Sequence, residues 1–257
     1  MKDRVSWNSL KERLNPDAPE RYPADWQERK KKWISRDYPL IMNCGSIYGK
    51  LRNWIGLENF SIMFYEEAAL VKEMMDCMGD FFVRVIERAV MEVDIDIALF
   101  WEDMSYKNGP LISPKMFKDF MSPNIKKITY LLRANGIDVI FVDSDGNIEE
   151  LIPLWLEAGV NGFLPLEVAG AMDPVKLRKQ YGKEILLIGG IDKRVMAAGK
   201  SAIDKELEYK LPFMCKTGGY IPWCDHLVPP DVSFENYMYY LRKMKETTLA
   251  PDKYESG

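Results

Sequence analysis

The sequence predicts an α/β chain: a TIM-type (β/α)8 barrel shortened to about six βα units, with an N-terminal helical arm. Three observations carry that expectation. Apolar, strand-like runs alternate with helix-like segments from residue 38 onward, which is the signature of βαβ units and a parallel sheet. The runs are mostly apolar throughout rather than alternating, as expected of strands covered on both faces. Five successive runs end in carboxylates, and in parallel barrels the C-terminal strand ends carry the active site. A doubly wound open sheet also fits the alternation, but its ligands gather near one switch point. Acids on five strands converge better in a ring.

The elements follow in order. Residues 1–38 are polar and broken by prolines (NPDAPERYP), giving a helical or looped arm. YPLIMNC (38–44) is a short apolar run that stops at Gly45. Between Glu66 and Val93, Leu70, Met74, Met78, Phe81, Val85, Ala89 and Val90 recur every three or four residues and define one helix face. DIALFWED (96–103) is the next strand. Ser113 and Pro114 open a helix as N-cap and first turn, Ser122-Pro123 repeats the signal and predicts a kink or restart, and Asn135-Gly136 closes it. IDVIFVD (137–143) is a strand, NIEELIPLWLEAG a helix ended by Gly159, and NGFLPLE (161–167) a strand. DPVKLRKQYG is a short helix capped by Asp173, and EILLIGGID (184–192) a strand. SAIDKELEYKLPFMCKTGG reads as a helix with an expected break at Pro212, YIPWCDH (220–226) as the sixth strand, and SFENYMYYLRKMKE as the last helix. The expected organisation is an arm (1–38), a barrel (39–246) and a flexible tail (247–257).

Composition bounds the function. The 257 residues are 47% hydrophobic and 29% charged, enough to bury a large core. With a net charge of −4 and no basic cluster interleaved with aromatics, no nucleic-acid partner is expected. The basic run Arg29 to Lys32 reads as a solvated helix face. The N-terminus has no apolar signal-peptide core and no run is long enough to span a membrane. The four cysteines form no CxxC pair, so reduced thiols and a cytoplasmic location are expected.

The strand-end acids are the candidate functional residues: Glu102 and Asp103, Asp143 and Asp145, Glu167, Asp192, and Asp225 beside His226. Each has a structural reading. Asp143-Ser144-Asp145-Gly146 is also a turn whose Asp or Asn caps the next helix. Glu102 and Asp103 are also solvated loop acids, and a lone histidine is more often a hydrogen-bonded structural residue than a ligand. The functional reading rests on convergence. Carboxylates buried together are destabilising unless a cation joins them, and a ring of Asp, Glu and one His suits zinc, manganese or magnesium.

From Leu40 to Lys245 the pattern resembles the uroporphyrinogen decarboxylase superfamily. PLIMNCGSIYGKLRNWIG is similar to that family's third strand and loop. WEDMSYKNGPLISPKMFKDFMSP is similar to its fourth, with a Gly-x-x-x-Ser-Pro connection. LLIGGID resembles the seventh strand, and HLVPPDVSFENY the eighth with its Glu-Asn pair. The resemblance implies a (β/α)8 barrel and either decarboxylation or zinc- and corrinoid-linked methyl transfer. The decarboxylase's arginine-rich first strand and its second strand with the catalytic aspartate have no counterpart, so the chain is expected to begin after both. The methyltransferase branch holds zinc by a His-x-Cys-Gly pattern and a later Cys. The matching positions here are Asp143, Asp145 and His226, with Glu167 as a fourth ligand. The resemblance therefore implies zinc or another divalent metal on Asp143, Asp145, Glu167 and His226, with Glu102, Asp103 and Asp225 as catalytic groups. It also implies a small-molecule methyl donor or acceptor and a corrinoid carried by a separate partner protein, in anaerobic metabolism. Two alternatives stand beside it: a decarboxylase acting on a porphyrinogen or small acid, and a non-catalytic barrel whose open sheet edges are covered by a homodimer mate or companion subunit.

Overall fold

The computed structural model describes residue 1 and residues 3–250. The arm folds as α1 (Arg4–Lys11), a 3-10 turn (Pro19–Arg21) and α2 (Trp26–Ile34). Asp3 caps α1: its carboxylate accepts the Ser6 N–H at 2.8 Å, and the Ser6 hydroxyl accepts the Asp3 N–H at 3.1 Å. Next come β1 (Ile41–Asn43), α3 (Tyr48–Ile55), α4 (Leu57–Glu66), α5 (Ala68–Glu92) and β2 (Ile97–Trp101). A small antiparallel hairpin follows, β3 (Ser105–Tyr106) and β4 (Gly109–Pro110). The expected restart near Ser122 takes the form of α6 (Pro114–Met116), a π turn (Phe117–Met121) and α7 (Ser122–Ala134). The chain continues through β5 (Val139–Asp143), α8 (Ile152–Glu157), β6 (Gly162–Leu164), α9 (Pro174–Tyr181) and β7 (Leu186–Ile188). It ends in α10 (Lys193–Ala198), α11 (Lys200–Thr217), β8 (Tyr220–Ile221) and α12 (Phe234–Leu249).

The sheet order decides the fold class. Six strands follow one another as β1-β2-β5-β6-β7-β8, without the reversal that defines a switch point in a doubly wound sheet. The pairs β1/β2, β6/β7 and β7/β8 are parallel, with Met42 opposite Ala98, Phe163 opposite Leu187 and Ile188 opposite Ile221. Among the described residues no helix is long and apolar enough to cross a membrane.

The chain divides into two compact units. The first comprises Met1–Met104, Leu111–Val142 and Glu150–Val160. Its spine is α5, whose Leu70, Val71, Met74, Met75 and Met78 are buried, and which packs along α7 with its buried Ile125, Ile128 and Leu132. The two helices approach closely at Gly79, where an added Cβ would stand 2.7 Å from the Asn124 side chain. Phe117 and Trp155 meet edge to face at 4.8 Å in the same core.

The second unit comprises Ser105–Pro110, Asp143–Glu149 and residues 161–250. Ile191, Met196, Ile203, Leu207, Leu211, Cys224 and Tyr240 form its core. The break expected at Pro212 does not occur. Helix α11 runs through it, because buried Leu207 and Leu211 before the proline and Met214 after it hold both halves in place. Helix α12 runs to Leu249 with Thr247 buried, so residues 247–249 belong to it rather than to the tail expected there. The rest of that stretch, 251–257, lies outside the described residues.

Candidate active site

In the first unit, β2 delivers Glu102 into a fully buried position. Its Oε1 accepts the Ile47 N–H at 2.8 Å, and its Oε2 accepts the Gly49 N–H at 3.0 Å and the Ser46 hydroxyl at 3.3 Å. These donors open α3, whose N-cap residue Ile47 has no side chain able to cap it. Glu102 supplies that missing acceptor from another strand. Gly49 is glycine because a Cβ would lie 2.7 Å from the Glu102 carbonyl oxygen. Burial pushes the Glu102 carboxyl up to about 7 against the pull of the Ile47, Gly49 and Tyr48 N–H groups and Ser46. Asp103 sits at φ +42, a left-handed backbone that a non-glycine residue rarely adopts. Arg52 holds it there: Nη2 donates to Asp103 Oδ2 at 2.9 Å and Nη1 to its carbonyl, while the guanidinium lies 5.7 Å from the Trp101 ring centre. Of the catalytic acids expected in this unit, Glu102 is thus a buried helix cap, and the partly exposed Asp103 is an arginine's partner.

In the second unit the loop after β5 is gripped from both sides. The Ser144 N–H donates to Leu164 O at 3.0 Å and the Asn147 N–H to Tyr106 O at 2.9 Å. Gly146 lies at φ +76 against the hairpin backbone, with Tyr106 C 2.7 Å from where its Cβ would be. The Gly146 N–H donates to Glu167 Oε2 at 2.9 Å, and Asn147 Oδ1 accepts the Glu149 N–H at 3.0 Å. The loop is therefore also the capped turn that its composition allowed. Glu167 Oε1 faces the Lys193 ammonium at 3.6 Å.

The loops after β7 and β8 complete the group. Gly189 and Gly190 are closed to side chains: both have positive φ, and a Cβ on Gly189 would fall 1.9 Å from Pro165 O. Their carbonyls accept the Tyr220 hydroxyl at 2.8 Å and the buried Lys210 ammonium at 2.7 Å. Asp192 caps α10 and takes the Arg194 guanidinium on both oxygens, at 2.9, 3.1 and 2.7 Å. Burial pushes Asp192 up, but Arg194 outweighs it and leaves the carboxyl below its ordinary value. Asp225 is fully buried; its Oδ2 accepts the Val168 N–H at 2.8 Å and its Oδ1 the Lys193 N–H at 3.0 Å. Burial raises its pKa, opposed by those two bonds. His226 is exposed on its loop. Its Nδ1 accepts the Leu227 N–H at 2.8 Å, so the neutral ring carries its proton on Nε2, which faces Asp145 Oδ2 at 3.6 Å.

The expected four-ligand metal set is not assembled. Asp145 and His226 face each other, but Glu167 is turned to the Gly146 N–H and to Lys193. Among the described residues no three His, Cys, Asp or Glu side chains stand where they could hold a metal ion. As placed, this donor set does not fit zinc. Asp225, expected as catalytic, has no exposed atom to offer a ligand. Lys193 carries no strand-end signal of its own in the sequence beyond its place directly after Asp192 in GGIDK.

What remains open is a patch of mixed charge at four strand ends: an Asp–His pair and a Glu–Lys pair, all partly exposed. Such a patch can donate and accept protons. A model of the family described as uroporphyrinogen decarboxylase (URO-D) matches residues 10–247. The chain belongs to the URO-D family. The family's fold is the TIM barrel, in agreement with the unreversed sheet order, and the family is generally enzymatic, with decarboxylases and methyltransferases among its members. The URO-D match takes in both the Glu102 cap and the mixed-charge patch. No curated protein matches the chain.

Proposed function

We propose that this URO-D-family enzyme moves a methyl group between a small-molecule donor and a corrinoid held by a separate protein, with His226 and Asp145 as its acid–base pair. One observation carries the preference over porphyrinogen decarboxylation: the cations that follow β7, and Lys210 on the Gly190 carbonyl, are already engaged. Arg194 is forked onto Asp192, Lys193 faces Glu167, and Lys210 is buried with Glu206. A porphyrinogen presents several carboxylates and needs unpaired cations to receive them. A methoxy or methylamine donor needs only one proton, delivered to the oxygen or nitrogen that the methyl leaves.

His226 acts as the imidazolium: a proton taken from solvent on Nδ1 displaces the Leu227 bond, Asp145 stabilises the charged ring, and the Nε2 proton passes to the leaving atom as the ring returns to neutral. Glu167 fixes Gly146, next to Asp145, and Lys193 balances the charge of Glu167. The corrinoid's reduced cobalt supplies the electron pair that takes the methyl.

The test uses cob(I)alamin as acceptor and methanol, methylamines and methoxybenzenes as donors, following the loss of the cob(I)alamin absorption. Turnover with at least one donor is expected. His226→Gln is expected to lose about 100-fold or more of the rate, the usual worth of a general acid. A wild-type protein that demethylates none of these donors yet releases carbon dioxide from a porphyrinogen would overturn the reading.

A further inference from the structure

We propose that Asp225 is the positioning residue of the mixed-charge patch, a single buried carboxylate that sets Glu167, Lys193 and His226 relative to one another. The proposal rests on the reading of the patch as a catalytic site.

The geometry is local and complete. Asp225 Oδ2 holds the N–H of Val168, the residue after Glu167. Oδ1 holds the N–H of Lys193 itself. The backbone N–H of Asp225 donates to Ile191 O at 2.8 Å, and His226 is the next residue. The loops that follow β6, β7 and β8 are therefore joined at one side chain. Each of the three working residues is at most one peptide from a bond to Asp225. Those bonds are short and end on a fully buried carboxylate, whereas the contacts between the working side chains are long, 3.6 Å for both Glu167–Lys193 and Asp145–His226. Long, partly exposed contacts do not hold loops in register; short bonds to a buried carboxylate do. With no exposed atom, Asp225 acts through the residues it places rather than on substrate.

Two variants separate this role from general stability. Asp225→Asn keeps the shape but turns an N–H2 group towards one of the two donors. Val168→Pro keeps the carboxylate and deletes one donor; proline suits the first position of the 3-10 turn there, and Glu167 already has the extended backbone a following proline requires. Amide exchange is read at Lys193 in both variants and at Val168 in Asp225→Asn. His226 is the only histidine in the chain, so its acylation by diethyl pyrocarbonate gives one signal. Glu102→Gln, a buried carboxylate in the first unit, serves as the control for exchange and acylation.

Expected is exchange at these amides about tenfold faster or more, and a His226 acylation rate changed about threefold or more, in both variants and not in the control. In the methyl-transfer assay kcat should fall about tenfold or more with KM within about twofold. If Asp225→Asn does not fold, Val168→Pro alone carries the test. Unchanged amide exchange and unchanged His226 acylation overturn the proposal. Exchange and acylation need no turnover, so a protein that moves no methyl groups yet shows both changes retires the proposed reaction and leaves the positioning role standing.

Discussion

Glu102 is held by backbone N–H groups and one hydroxyl rather than by a cation, which makes its charge expensive. Its carboxyl titrates at about 7 when folded against an ordinary 4.5. The folded state thus binds the proton more tightly, and the stabilisation from this group is fully present below about pH 4.5 and is lost as pH rises through 7. At about 1.4 kcal/mol per pH unit of difference, the loss is about 3 kcal/mol. Urea midpoints at pH 5 and pH 8 check this: wild type should lose stability between the two, and Glu102→Gln should remove that part of the loss. A gap between the two proteins that is the same at both pH values would count against it. Glu167 offers a second test at this scale. Glu167→Gln keeps an oxygen for the Gly146 N–H but removes the charge facing Lys193, so stability should change by less than about 1 kcal/mol, the usual worth of a partly exposed pair. The proposed methyl transfer should fall because the charge balance of the patch changes.

Helix α5 illustrates a contest of signs between local propensity and packing. Gly79→Ala would raise helix propensity by about 1 kcal/mol at an open position. Here the added methyl would lie 2.7 Å from Asn124, so overpacking of about 1–3 kcal/mol is expected to win. Thermal unfolding of Gly79→Ala should show a lower midpoint; a higher one would mean that α5 and α7 can part without loss. Much at this scale was legible in one dimension. All six sheet strands fall inside the runs that apolar character marked out, and α5 lies where the three- and four-residue spacing placed it. The strands are shorter than their runs, with β8 reduced to Tyr220–Ile221, because flanking apolar residues such as Leu166 and Ile191 are buried in loops instead. Buried loop and buried strand look alike in composition. The hairpin β3–β4 escaped notice because two-residue strands leave no period to detect, and α11 defied its proline because packing outweighed the local signal.

At the scale of the whole chain, the acids that end the strands were visible as strand terminators, but their division of labour was not. Glu102 finds Ile47 across 55 residues and Asp225 finds Val168 across 57, and no spacing rule distinguishes an acid that turns inward to grip backbone from one that faces solvent. The engaged cations beside β7 make a prediction about ligands: coproporphyrin, a fluorescent tetracarboxylate, should show no saturable binding. Saturable quenching at micromolar concentration would restore the decarboxylase reading. The glycine pair after β7 has a practical corollary for anyone wishing to alter what this protein accepts. With Gly189 blocked by Pro165 and both carbonyls claimed by Tyr220 and Lys210, that stretch admits no new side chain. Diversity introduced by directed evolution will be tolerated at exposed Leu227 and Val228, and a library randomised at 189 and 190 should return the parental glycines almost without exception.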